Sequence, residues 1–136
     1  MKNYPQLFLN TRKAGSFLGQ HPWVLEKSII DPTVALEPGT IVDLMHPKGN
    51  WIGRGVYNPL SRIRVRLYQW DQASELDEQW LCEQLENAVA MRDAWQLAHG
   101  PLDAVRLVNS EGDGLSGLVI DKFADYLVVQ FSAIAM

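Results

Sequence analysis

The sequence has no apolar run near the roughly 20 residues that a bilayer-spanning helix needs. Its opening, MKNYPQLFLN, has neither the long apolar stretch nor the small-residue cleavage site of a signal peptide. Cys82 is the sole cysteine, so no intrachain disulfide can form, and a reducing, cytoplasmic location is expected. His21, His46 and His99 are scattered and share no ligand spacing with that cysteine, which argues against a metal site. Cys82 lies among acidic residues that disfavour a thiolate, so it reads as structural and not nucleophilic. What the chain does have is 136 residues with 47% apolar content, enough for one ordinary globular domain or two small ones.

Charge divides those residues in two. Residues 1–70 carry nine Lys/Arg against four Asp/Glu, while residues 71–136 carry three against twelve. The formal net charge of −4 thus joins a basic module at +5 to an acidic one at −9. A basic module with interspersed aromatics suits a polyanion, above all nucleic acid.

The basic module is dense in turn signals, at Asp31-Pro32, Glu37-Pro38-Gly39, His46–Asn50 and Asn58-Pro59. Between them residues 40–45, 51–57 and 63–68 read as short strands, the pattern of a small, mostly-β barrel or sandwich. Short helical turns are expected near 13–18 and 23–28. In the third strand Ile63, Val65 and Leu67 share one face and Arg62, Arg64 and Arg66 the other, because side chains alternate. Three arginines on one face, with Arg12, Lys13, Lys48 and Arg54, make a surface able to meet phosphates.

From Ser74 to His99 the period changes to that of a helix, with Ser74 and Asp77 as a capping-box pair. Leu81, Leu85, Ala88, Arg92 and Trp95 mark its buried stripe, and Gly100-Pro101 ends it. Its carboxylates are expected on the solvent face. Strands follow at 103–108, 117–120 and 126–131, giving an α+β module over residues 73–136 after a first domain at 1–72. Gly112-Asp113-Gly114-Leu115-Ser116-Gly117 matches G-x-G-x-x-G in letters, but β-branched residues follow it instead of a helix. A turn between strands, with glycines at positive φ, is the better reading, and with it goes the idea of a small enzyme built on that loop. The last residues, YLVVQFSAIAM, run as a strand without a cap, as in a piece of a longer protein. Such an open edge near Phe131 would let copies associate, with a homodimer as the expected form.

Several of these segments together resemble one family. Gly19-Gln20-His21-Pro22-Trp23-Val24, Pro38–Asp43 and Gly53–Ile63 resemble a PUA domain, and Arg106-Leu107-Val108 with Glu111–Asp121 resembles the signature of the domain that follows it. The family is the PUA-containing, S-adenosylmethionine-dependent methyltransferases that make 5-methylcytosine in large-subunit ribosomal RNA. Gln20 stands where the family has a glycine, Ser116 where a proline is common, and Asn109-Ser110 departs from the usual pair.

The resemblance implies a PUA-like barrel followed by an incomplete central α+β domain. The Rossmann-like domain that holds S-adenosylmethionine and the catalytic cysteines would lie outside these residues. It also implies ribosomal RNA as partner, no membrane, and no catalytic or cofactor-binding residue in the chain itself. Arg12, Lys13, Lys48, Arg54, Arg62 and Arg64 are then the expected phosphate contacts. Trp51 and Tyr57 are stacking candidates that serve equally as packing residues. His21-Pro22-Trp23 reads as a rigid turn with His21 hydrogen-bonded and Trp23 buried. Arg106, Glu111 and Asp113 read as an ion-pair network at one turn, or as groups that orient a target base. A free-standing RNA-binding or protein-interaction module is the alternative from another functional class.

Overall fold

A computed structural model describes residues 3–10, 17, 19–30, 32 and 35–136 of the chain. Two compact units divide it, Met1–Leu76 and Asp77–Met136. The first is a five-stranded sheet of β1 (Gln6–Phe8), β2 (Trp23–Leu25), β3 (Ile41–Met45), β4 (Trp51–Tyr57) and β5 (Ile63–Gln69). Their order is β1-β3-β4-β5-β2, with β1 parallel to β3 and every other pair antiparallel. Beyond the two edge strands, a bridge between Leu9 and Ile29 draws the edges together, supported by Asn10 N–H to Ser28 O at 2.7 Å and Ile30 N–H to Phe8 O at 2.8 Å. The sheet curls accordingly into a small barrel.

Alternation explains its core. Leu7, Val24, Val42, Leu44, Val65 and Leu67 point inward and are buried together with Phe17, Ile29 and Tyr57. The three strands expected from periodicity are present within a residue at each end. Two three-residue strands were too short to show a period. The segment 23–28, expected as a helical turn, is instead strand β2 followed by a 3-10 turn at Glu26–Ser28, since Val24 is needed as an inward strand residue. The expected turn near 13–18 falls largely outside the described residues. Gly55 permits the closest strand approach, because a Cβ there would lie 2.0 Å from Arg66 O.

The second unit is α+β. Helix α1 (Glu78–His99) precedes an antiparallel sheet of β6 (Ala104–Asn109), β7 (Leu118–Phe123) and β8 (Tyr126–Phe131). Asp77 alone caps the helix, its carboxylate accepting from Trp80 N–H at 3.0 Å. Ser74, expected in that role, instead donates to Asp71 in the preceding turn. Gly100 closes the other end at φ 99°. Ala88 packs against Val108, Leu115 and Leu118, with Trp80, Leu81 and Leu85 alongside, while Trp95 lies outside this core and stacks on His99 at 4.4 Å. Glu78, Glu83, Glu86 and Asp93 are exposed, as the solvent-face expectation required.

Between β6 and β7 the glycine-rich segment forms a 3-10 turn at Ser110–Asp113 that ends on Gly114 at φ 72°. No helix opens there, so the loop has no anion-binding helix terminus. Asp113 instead ties the turn to α1, receiving Arg92 NH1 and NH2 at 2.7 Å each and Asn109 N–H at 2.6 Å. Burial opposes ionisation of this carboxyl, but Arg92 and the Asn109 amide outweigh it and hold the carboxyl below its ordinary range.

Asp113→Ala is expected to cost about 2 to 3 kcal/mol, because it leaves Arg92 half-buried and unpaired. Urea unfolding measures it. Since the folded carboxyl ionises more readily than the unfolded one, its contribution is full above the unfolded value of about 4. It disappears as pH falls through the lowered folded value, and the variant loses that part of the acid dependence.

Candidate nucleic-acid interface

The pairing of β2 with β5 sets Trp23 opposite Arg66 on the outer face. Val24 takes the inward position, so Trp23 must face out, and it is 38% exposed. The Arg66 guanidinium lies over the indole, 5.6 Å from the ring centroid, in a cation–π contact. His21 meets the same indole edge-on at 6.1 Å, and its Nδ1 accepts the Trp23 backbone N–H at 3.1 Å. His21 is therefore hydrogen-bonded as expected, whereas Trp23 is not buried.

Arg64 is the next outward residue on β5. Its guanidinium pairs with Glu26 at 3.0 Å and also donates to the carbonyl of Pro59. Arg62 is exposed just before β5, and Lys27 is exposed in the 3-10 turn after β2. The turn that leads into Arg62 is shaped by Asn58 and Ser61, whose side chains accept from Leu60 N–H and Ile63 N–H at 3.0 and 3.1 Å. One aromatic ring and four cationic side chains are thus carried by two paired strands and their flanking turns. Lys27 and Trp23 had no place among the expected contact residues, and Arg66 was expected on the arginine face but not among the phosphate contacts. The Trp-Val-Leu alternation was the available signal, hidden by the shortness of β2.

The other expected residues disperse. Lys48 is exposed in the β3–β4 turn, at the opposite end of seven-residue β4 from Arg62, about 20 Å away along the strand. Arg12 and Lys13 lie outside the described residues. Arg54 is a correction: it is 4% exposed and faces no solvent. Its Nε donates to Asp43 at 2.8 Å and its NH1 to Ser74 O at 2.5 Å, and the Tyr4 ring covers the guanidinium at 4.3 Å. Tyr4 in turn donates its hydroxyl to Glu75; burial first, then this carboxylate, pushes the phenol up to about 12. Tyr57 is a core residue, and Trp51 is half-buried.

In the second unit Arg106, Glu111 and Asp113, expected as one network, are tied to residues outside that trio. Each residue has a different partner: Asp121 for Arg106 at 2.8 Å, the Ser116 hydroxyl for Glu111 at 2.6 Å, and Arg92 for Asp113. Serine at position 116 supplies a donor that a proline could not.

Residues 7–70 match the family model for a PUA-like domain. The whole chain is 35% identical over 128 residues to ribosomal RNA large subunit methyltransferase I of Salmonella arizonae, covering 94% of this chain and 32% of the relative. It is 35% identical over 127 residues to the protein of the same name from Salmonella paratyphi C, at 93% and 31%. The chain therefore spans about a third of the length of the curated relatives it matches. Its fold is shared with a candidate SAM-dependent methyltransferase from Streptococcus mutans, at TM-score 0.77 and 17% identity over 96% of this chain and 34% of the other. A crystal structure of a methyltransferase candidate complexed with SAH superposes at TM-score 0.79, also at 17% identity, covering 96% and 33%.

Within the PUA-like domain Gln20 has φ 58°, a left-handed conformation that explains why glycine suits this place. Gln20→Gly is expected to raise stability by about 1 kcal/mol in urea unfolding. Arg54→Ala is expected to lower it by about 3 kcal/mol, because Asp43 is left buried and unpaired.

Proposed function

We propose that residues 1–136 are the RNA-recognition portion of a cytoplasmic, SAM-dependent large-subunit ribosomal RNA methyltransferase with 5-methylcytosine as its product. Residues 1–72 act as the RNA-binding domain and residues 73–136 open the central α+β domain. In this reading S-adenosylmethionine and the catalytic groups belong to the complete enzyme outside residues 1–136. The observation that carries the proposal is the exposed Trp23 under Arg66, with Arg62, Arg64 and Lys27 on the same paired strands and turns, in a PUA-like domain.

The arginines contribute affinity by displacing counterions from phosphates, and this affinity weakens steeply with salt. They give position on the backbone, and the Trp23 ring offers an apolar surface for an unpaired base. Arg64 meets phosphate only by giving up Glu26 in exchange, so exposed Arg62 contributes more than Arg64.

Binding of labelled ribosomal RNA fragments across a salt series tests this. An Arg62→Ala/Arg66→Ala variant is expected to bind at least about tenfold more weakly at low salt. The slope of log affinity against log salt falls by about 1.4, for two contacts at about 0.7 each on single strands. Absence of binding at low salt would overturn RNA docking and favour a protein-interaction module that uses the exposed carboxylates of α1.

A further inference from the structure

We propose that the outer face of the β6–β7–β8 sheet is a second RNA site, one that holds a single unpaired base, guanine by preference. It rests on the RNA reading above but uses a different surface and different chemistry. Register places the residues. Arg106 pairs with Asp121 and Ala104 with Phe123 across β6–β7, while Phe123 pairs with Tyr126 across β7–β8. Directly opposed residues share a face, so Arg106, Asp121, Ala104, Phe123 and Tyr126 all stand on one side. Leu118 and Ile120, at the alternate positions of β7, pack with Ala88 of the helix and occupy the other side.

Two exposed aromatic residues are directly opposed on this face, Phe123 at 49% exposure and Tyr126 at 77%. A nucleobase suits such side chains because every base has a π-face. Ala104, small and opposite Phe123, leaves a depression. A cleft of about 600 Å³ runs along edge strand β6 beside this face, lined by Arg92, Val105, Arg106, Asn109, Asp121 and Phe123 among others and not by Tyr126.

Arg106 supplies the polar edge. Asp121 takes its Nε and NH2 at 2.8 and 3.0 Å, which fixes the plane of the guanidinium. The NH1 group makes only a long 3.5 Å contact with Asn109 Oδ1, so the NH1/NH2 fork remains presented outward. That fork fits the O6 and N7 acceptors of guanine. Arg106 and Phe123 are diagonal neighbours on adjacent strands, their side-chain bases roughly 7 Å apart, the scale of one nucleobase. Asp121 cancels the charge of Arg106, so the site recognises a base and not a phosphate. Asp121 is a positioning residue; Arg106, Phe123 and Tyr126 make the contacts.

The test uses the whole chain and a single-stranded oligouridine carrying one central guanosine, 6-thioguanosine or adenosine. Phe123→Ala is expected to weaken guanosine binding about 5- to 100-fold with an unchanged salt slope, and Phe123→Trp to retain it. Arg106→Lys, which keeps the charge and loses the fork, is expected to erase the preference for guanosine over adenosine. The thioguanosine probe is expected to crosslink to the peptide holding Phe123 and Tyr126. Full affinity and guanosine preference in Phe123→Ala would overturn the site. So would crosslinks confined to the peptide holding Trp23, which would leave the PUA-like interface standing. A Phe123→Ala variant that changes only self-association would assign the face to a second copy and overturn the proposal. Binding lost in Phe123→Ala but kept in Arg62→Ala/Arg66→Ala would support this site and sink the other.

Discussion

The buried pairing of Arg54 with Asp43 is the constraint on which the first unit depends. A guanidinium out of water is costly unless its donors are met, and here Nε and NH1 have close acceptors in Asp43 and the Ser74 carbonyl, with longer 3.5 Å contacts from NH2 to Asp43 and the Gln72 carbonyl. Those acceptors come from β3 and from the segment that leaves β5, with Tyr4 laid over the top. The arginine therefore fastens three distant stretches of chain to β4. It also decides where the outer face is open. The row Asp43–Arg54–Gln69 lies under this cover, while the row Ile41–Val56–Arg66–Trp23 ends on an exposed indole.

The separate fates of Arg54 and Arg66 meet at an irregularity. The register between β4 and β5 shifts between Arg54 and Gly55, just where Gly55 lets the strands approach. A bulge adds local twist and re-aims side chains. Here it lies between a charge turned under a cover and a charge that reaches Trp23. A side chain at position 55 would push against Arg66 O and disturb both at once.

Strands with clear alternation and a helix with a clear 3.6-residue period were legible in the sequence, and so was the turn nature of Gly112–Gly117. Those signals are local. The failures were long-range. Nothing adjacent to Arg54 in sequence announces that Asp43, Ser74 and Tyr4 will enclose it, so it read as one more surface cation. Arg106, Glu111 and Asp113 are close in sequence but find Asp121, Ser116 and Arg92, because strand pairing and helix docking choose partners across the chain. Trp23 was misplaced for a different reason: a three-residue strand is too short to declare its alternation.

Charge alone therefore reads the two units poorly. The basic half hides its most deeply held arginine, and under the proposed function its remaining cations would meet backbone phosphate, whose contacts carry no sequence information. The acidic half exposes Glu78, Glu83, Glu86 and Asp93 on α1 and pairs Asp113 and Asp121 with arginines, so the aromatic sheet face carries the mutually neutralised Arg106–Asp121 pair. Repulsion from phosphate falls with screening over about 10 Å at 0.1 M salt, whereas stacking and a guanidinium fork act at contact. An acidic unit can for that reason discriminate a base while contributing little to general RNA affinity. Position would come from the arginines of the PUA-like domain, and identity from an arginine that its own aspartate has neutralised.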